Sequence, residues 1–184
     1  SSMANTNDAD FRAWTDELID SLTTAGIGIA ADTGQIDTAT ATRPASATSG
    51  GFVMLYLNGS LHATKPVYIK LEMGSNTTQG TPQLWATVGS GTNGAGTITG
   101  QMFARVALAP NGTGQAGNYP TFICVKSGYL GLAFKRRGVG SNLGTAFLAI
   151  CRSVDAAGDP NAAAVYIYYS GWSHSLTRTT YVSA

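Results

Sequence analysis

Two patterns of apolar and polar residues run along the chain, in different parts of it. From residue 8 to residue 25, Phe11, Trp14, Leu18, Leu22 and Ala25 recur at spacings of three or four. That period places them on one stripe of an amphipathic α-helix. Asn7 or Asp8 can cap its start, and Asp10 falls in the first turn, where the helix dipole favours an anion. Gly26 fits the left-handed position after a helix, with Leu22 and Ile27 spaced for the contact of a Schellman ending.

Beyond residue 50 the period drops to two. Val67, Ile69, Leu71 and Met73 alternate with Tyr68, Lys70 and Glu72, as in a strand with one dry face and one wet face. Phe52 to Leu57 is almost wholly apolar, as a strand covered on both faces would be. Asn58-Gly59 reads as a turn, and Pro66 opens the second strand, where its missing N–H does least harm. Further strand-like runs are Leu84–Val88, one or two within Ile98–Leu108, Thr121–Lys126, Tyr129–Lys135, Thr145–Val154 and Ala164–Ser170. Loops rich in Gly, Pro, Asn and Asp separate them, and Gly89 to Gly100 reads as a loop throughout. Short strands with no helix between them predict a mainly β fold, an antiparallel β-sandwich or jelly roll with an N-terminal amphipathic α-helix. The expected organisation is a helical arm over 1–29, an extended Ala/Thr/Ser/Gly-rich linker over 30–51 and a β-sandwich body over 52–184.

Composition sharpens this picture at one point. Charged residues make up 11% of the 184 residues, where about 25% is usual. Such a neutral, polar surface suits a particle or an extracellular β protein better than a cytosolic helical enzyme. The net charge of +1 hides a split. Residues 1–37 hold seven acids against Arg12, a balance of −6, whereas residues 38–184 hold ten bases against three acids, a balance of +7. An acidic arm beside a mildly basic body suggests that the arm docks on the body or on a neighbouring copy. Only Lys135-Arg136-Arg137 clusters, so the body is not basic enough to argue for nucleic acid. No run approaches the ~20 apolar residues of a membrane span. Cys124 and Cys151 each lie in an apolar run, either as small buried hydrophobes or as a bonded pair. Ser1-Ser2-Met3 reads as a cloning remnant before a natural Met3, or as a natural start.

The chain offers little for catalysis. Gly89-Ser-Gly-Thr-Asn-Gly94 matches G-x-G-x-x-G, but the dinucleotide reading needs a helix next and an acid about 20 residues on. Ala95-Gly-Thr-Ile-Thr-Gly100 follows instead, and no acid lies between Glu72 and Asp155. A nucleophilic triad would have to use His62, in the turn after Asn58-Gly59, or His174, flanked by Ser173 and Ser175, and each reads as a polar loop residue. Two histidines with no Cys or acid at ligand spacing argue against zinc, and Asp155 with Asp159 reads as an Asx-rich turn rather than a calcium site. The Asn-x-Ser/Thr triplets at Asn58, Asn76 and Asn111 are expected by chance in so Thr- and Ser-rich a chain. The expectation is no catalytic residue, no metal, no cofactor and no enzymatic activity. Two sets of residues remain. Phe11, Trp14, Leu18 and Leu22 are expected to make an assembly contact through the helix. Tyr166, Tyr168 and Trp172 form an aromatic set at the end of a strand, able to stack on sugars or to join an interface.

Four strings carry a resemblance. Asp10-Phe-Arg-Ala-Trp14, Ala31-Asp-Thr-Gly-Gln-Ile36, Ala63-Thr-Lys-Pro-Val-Tyr-Ile-Lys-Leu-Glu72 and Pro82-Gln-Leu-Trp-Ala-Thr-Val-Gly-Ser-Gly-Thr-Asn-Gly-Ala-Gly96 resemble virion structural proteins of tailed bacteriophages. They span roughly residues 10–100 and include no catalytic residue; the later strands agree in style only. The resemblance implies a non-enzymatic, multi-copy particle component, tail- or baseplate-associated or of head-decoration type. Its partners would be other copies of itself and other virion proteins. Its location would be the virion, assembled in the host cytoplasm. A carbohydrate-binding, host-attachment module using Tyr166, Tyr168 and Trp172 on a host surface glycan is the alternative, and a surface-acting hydrolase comes third.

Overall fold

A computed structural model describes residues 2–3, 6–45, 48–75, 82–108, 119–126, 128–135, 145–152, 164–170 and 176–182. The helical pattern becomes helix α1 (Asp8–Thr24), capped by the Asn7 side chain, which accepts a hydrogen bond from the Asp10 N–H. It ends as its sequence requires. Gly26 adopts φ +101°, its N–H donates to the Thr23 carbonyl at 2.9 Å, and the Ile27 N–H donates to the Leu22 carbonyl at 3.1 Å. That is the Schellman pair of bonds, which satisfies carbonyls the last turn leaves open. Asn58 completes the cap, its side-chain amide donating to the Gly26 carbonyl at 2.7 Å.

The strands are β1 (Ser2–Met3), β2 (Gly28–Ile29), β3 (Thr48–Tyr56), β4 (Tyr68–Ser75), β5 (Pro82–Thr92), β6 (Ile98–Leu108), β7 (Tyr119–Lys126), β8 (Tyr129–Lys135), β9 (Thr145–Cys151), β10 (Ala164–Ser170) and β11 (Leu176–Val182). They form two antiparallel sheets, of five strands in the order β2-β3-β4-β5-β6 and of six in the order β1-β7-β8-β9-β10-β11. Each sheet is a meander of consecutive strands, with β1 added at one edge of the second. A jelly roll interleaves its strands between two sheets. Of the two β architectures expected, the sandwich of sequential meanders is therefore the one observed.

The period-two pattern fixes which face of each strand is dry. Val53, Leu55, Ile69, Leu71, Met73, Leu84, Ala86, Val88 and Phe103 from the first sheet join Leu130, Leu132, Leu148 and Ile150 from the second in one buried cluster. The helix stripe belongs to that cluster. Phe11, Leu18 and Leu22 are fully buried and Trp14 is 1% exposed. Phe11 meets Trp14 edge to face at 5.6 Å between ring centroids. The helix lies against both sheets, near β3 at Gly50 and beside β7. At about 1.5–3 kcal/mol per large side chain, these four contribute roughly 6–12 kcal/mol before ordering entropy is subtracted.

The region expected to be an extended linker is bonded along the sheet. Gly28–Ile29 pairs with Leu55 and Tyr56, the Ala30 N–H donates to the Met54 carbonyl, and the Ile36 N–H donates to the Phe52 carbonyl. Gln35 bridges the rest, its Oε1 accepting from the Met54 N–H at 2.7 Å and its Nε2 donating to the Ala30 carbonyl at 2.8 Å. Because these bonds go to main-chain groups of β3, residues 30–36 continue the sheet edge that β2 begins, and Met54, which they flank, is fully buried. Residues 89–92 and 98–100, expected in a loop, belong to β5 and β6, with the turn confined to 93–97.

Candidate functional site

The chain's polar side chains are used at the joins between elements. Asp32 is the most buried of the acids that the structure describes, at 7% exposure. Its carboxylate accepts from the Gly96 N–H at 2.8 Å and from the Thr92 hydroxyl, both in the β5–β6 hairpin. Next to it the Thr33 N–H donates to the Gly94 carbonyl at 2.8 Å. Within the turn, the Asn93 side chain accepts from the Ala95 and Thr97 N–H groups. Gly96 holds φ +80°, and a Cβ there would lie 2.3 Å from the Phe52 ring. The glycine-rich stretch is thus a hairpin tip clasped by Asp32 and followed by a strand, where a pyrophosphate loop needs a helix.

Other charged groups behave alike. Asp8 accepts from the Arg43 N–H at 2.9 Å, Asp16 from the Thr38 hydroxyl at 2.7 Å, and Arg12 donates to the Ala41 carbonyl at 3.1 Å. Asp37 accepts from the Thr40 hydroxyl and the Ala39 N–H, bonds that hold its carboxyl below the usual range. On the outer face of the five-stranded sheet, Arg105 pairs with Glu72 at 2.8 Å and stacks 4.4 Å from the Trp85 ring, and Lys70 sits 4.7 Å over Phe52. Arg152 fastens one end of the sandwich by donating to the Lys65 carbonyl. Burial lowers the pKa of its guanidinium. Tyr129 beside it has its hydroxyl pKa raised by burial first and by the Cys124 and Cys151 thiols second.

The residues singled out in the sequence fall as follows. Phe11, Trp14, Leu18 and Leu22 come together, but inside the chain's own core, so the helix face open to a partner is the opposite one. Tyr166 and Tyr168 lie on β10, where the register pairs them with Ala149 and Phe147. Trp172, His174, Asp155, Asp159, Asn76, Asn111, Arg136 and Arg137 lie outside the described residues. His62 stacks on Tyr56 at 4.3 Å between ring centroids, with Tyr68 at 5.6 Å. Cys124 and Cys151 are not joined in a disulfide, and Cys124 is exposed rather than buried. Among the described residues no group of three His, Cys, Asp or Glu is placed to hold a metal ion, and no helix is long and apolar enough to cross a membrane. Sequence reasoning missed Asp32, Gln35, Asn58 and Arg152; the string Ala31–Ile36 was the only signal for the first two.

Among the described residues, one surface open to a partner lies along β7. A groove of about 770 Å³ runs between the outer face of α1 and this strand. Asp16, Glu17 and Asp20 line one wall, and Thr121 and Ile123 the other. Phe122, on the opposite side of the strand, is 62% exposed. No family model, no curated protein and no solved structure matches this chain.

Proposed function

We propose that the chain is a non-enzymatic structural component of a tailed-phage virion, tail- or baseplate-associated, that acts by assembling in several copies. The observation that carries this reading is the Asp32 clasp. Ala31–Ile36 and Pro82–Gly96, two of the strings that resemble tailed-phage virion proteins, are the two halves of one hydrogen-bonded unit. Distinctive strings that meet in a structural join, with their carboxylate taken up by a hairpin tip, fit a scaffold. Asp8, Asp16, Asp37, Glu72, Arg12, Arg105 and Arg152 are likewise engaged in contacts between segments or within turns. The partners on this reading are further copies of the chain and other virion proteins.

The test is the particle of the phage that encodes the chain. Mass spectrometry of purified particles should find it, and electron microscopy with a bound antibody should place several copies on the tail or baseplate. Particles that contain none of it would overturn the reading. So would turnover of a host surface glycan by the purified protein.

A further inference from the structure

Asn-Gly pairs stand at 58–59, 93–94 and 111–112, the last outside the described residues. In such a pair the glycine nitrogen can attack the asparagine side chain, because glycine has no side chain to obstruct it. The structure treats the two described pairs differently. At the tip of the β5–β6 hairpin, Asn93 Oδ1 accepts from the Ala95 and Thr97 N–H groups at 2.9 and 3.0 Å. The Gly94 N–H donates to the Thr92 hydroxyl at 3.1 Å. Turning the Asn93 amide back onto the Gly94 nitrogen would break these bonds, in a tip that Asp32 already clasps.

The pair at 58–59 is held less. Asn58 is exposed, and Gly59 has φ +137°. The Gly59 N–H has no acceptor among the described residues. One bond fixes the Asn58 side chain, from Nδ2 to the Gly26 carbonyl at 2.7 Å. A cavity of about 280 Å³ adjoins both residues, with Ser60, Tyr129 and Arg152 also on its wall. It gives the amide room to turn and admits water. Arg152 brings a positive charge to the same cavity, which favours loss of the proton from a nearby N–H.

We propose that Asn58 is a self-modifying site, at which the Gly59 nitrogen closes on the Asn58 side chain and the residue becomes aspartate or isoaspartate. The Gly59 N–H gives its proton to hydroxide and its electron pair forms a bond to Asn58 Cγ. The Cγ–Nδ2 bond then breaks and ammonia leaves. Water opens the five-membered imide at either carbonyl. The net change consumes one amide and one water and yields one carboxylate and one ammonium ion. The carboxylate has no hydrogen to donate to the Gly26 carbonyl, and it adds a negative charge beside the negative end of helix α1. The isoaspartyl form also lengthens the main chain where the Asn58 carbonyl accepts from the Gly128 N–H at 3.3 Å. The modification therefore loosens the join between the helix end, the turn after β3 and the second sheet.

The site rests on the turn geometry and is independent of the virion reading. The full chain, incubated in mildly alkaline buffer and mapped by peptide mass spectrometry, should gain one mass unit at residue 58 several-fold faster than at residue 93. In concentrated urea the two rates should converge, since the bonds that protect Asn93 are then gone. A native rate at residue 58 no higher than at residue 93 would overturn the proposal. So would a ratio of rates that urea leaves unchanged. Asn58→Gln keeps a side-chain amide but needs a larger ring to close, so it should remove the fastest-forming acidic species on ion exchange; the same species at the same rate would overturn the assignment. The acidic species separated from the unmodified chain should melt at a lower temperature, and identical melting would overturn the loosening of the helix end.

Discussion

Asp32 takes its two donors from residues 60 and 64 positions away in the sequence. The Gly96 N–H it satisfies is buried, and a buried donor without an acceptor carries the full desolvation cost of the group. Asp32→Ala should therefore destabilise the protein by about 1–3 kcal/mol, read as a lower urea midpoint with unchanged slope. Asp32→Asn keeps an acceptor oxygen at the same place and should lose less. An alanine variant with the wild-type midpoint would mean that the clasp contributes nothing. This residue marks the limit of what the sequence discloses. A helix cap is legible because its partner lies three positions away, as Asn7 and Asp10 show. A carboxylate whose partner is a distant hairpin leaves no period and no spacing to read, and Asp32 looked like one more acid of an acidic arm.

Elements were legible wherever one period ran unbroken. Helix α1, β4, β7, β8 and β10 lie within a residue or two of their expected bounds, because an amphipathic stripe and a period of two are direct images of burial. The errors fall where glycine was read only as a breaker. β5 and β6 run on through Gly89, Gly91 and Gly100, since these positions bring the two strands too close for a side chain. A Cβ on Gly89 would lie 2.3 Å from Ile98 Cγ2. The helix was located well and its role misjudged, because a stripe shows that a face is buried but not by what. Its burial in the chain's own core changes what its variants should do. Trp14→Ala should cost about 3–5 kcal/mol. Removal of residues 1–30 should unfold the protein rather than release a folded body. Trp14→Phe should cost less than the alanine change, since it keeps an aromatic ring and deletes an indole N–H that is buried without an acceptor among the described residues. Thermal unfolding of the two variants checks this, and equal losses would give that N–H a role the packing does not account for.

At the scale of the whole molecule, the charge split and the composition of residues 30–51 suggested a chain in parts, an arm, a linker and a body. The structure joins them through one core. The four strings singled out in the sequence touch the first turns of helix α1 and run along β4 and β5, which tempts one to treat residues 1–108 as a self-sufficient unit. Packing argues otherwise. The inner face of that sheet, from Val53 and Leu55 through Ile69 and Leu71 to Leu84 and Val88, is covered by the helix and by Leu130, Leu132, Leu148 and Ile150. The second sheet supplies those four from β8 and β9, and among the described residues of 1–108 no covering layer replaces them. At about 25 cal/mol per Å², exposing such a face removes much of the hydrophobic driving force while the entropy of ordering the sheet stays the same. A chain cut after Leu108 should therefore lack a cooperative urea transition, bind a hydrophobic dye and aggregate as it is concentrated. The full chain should unfold in a single step, with the same midpoint by tryptophan fluorescence and by far-UV circular dichroism. In a Trp172→Phe chain the fluorescence comes from Trp14 and Trp85, in the first half, whereas circular dichroism reads both sheets. Two separated transitions, or a soluble fragment that melts cooperatively, would mean that the five-stranded sheet and helix fold by themselves. The second meander would then be an attachment rather than half of the core.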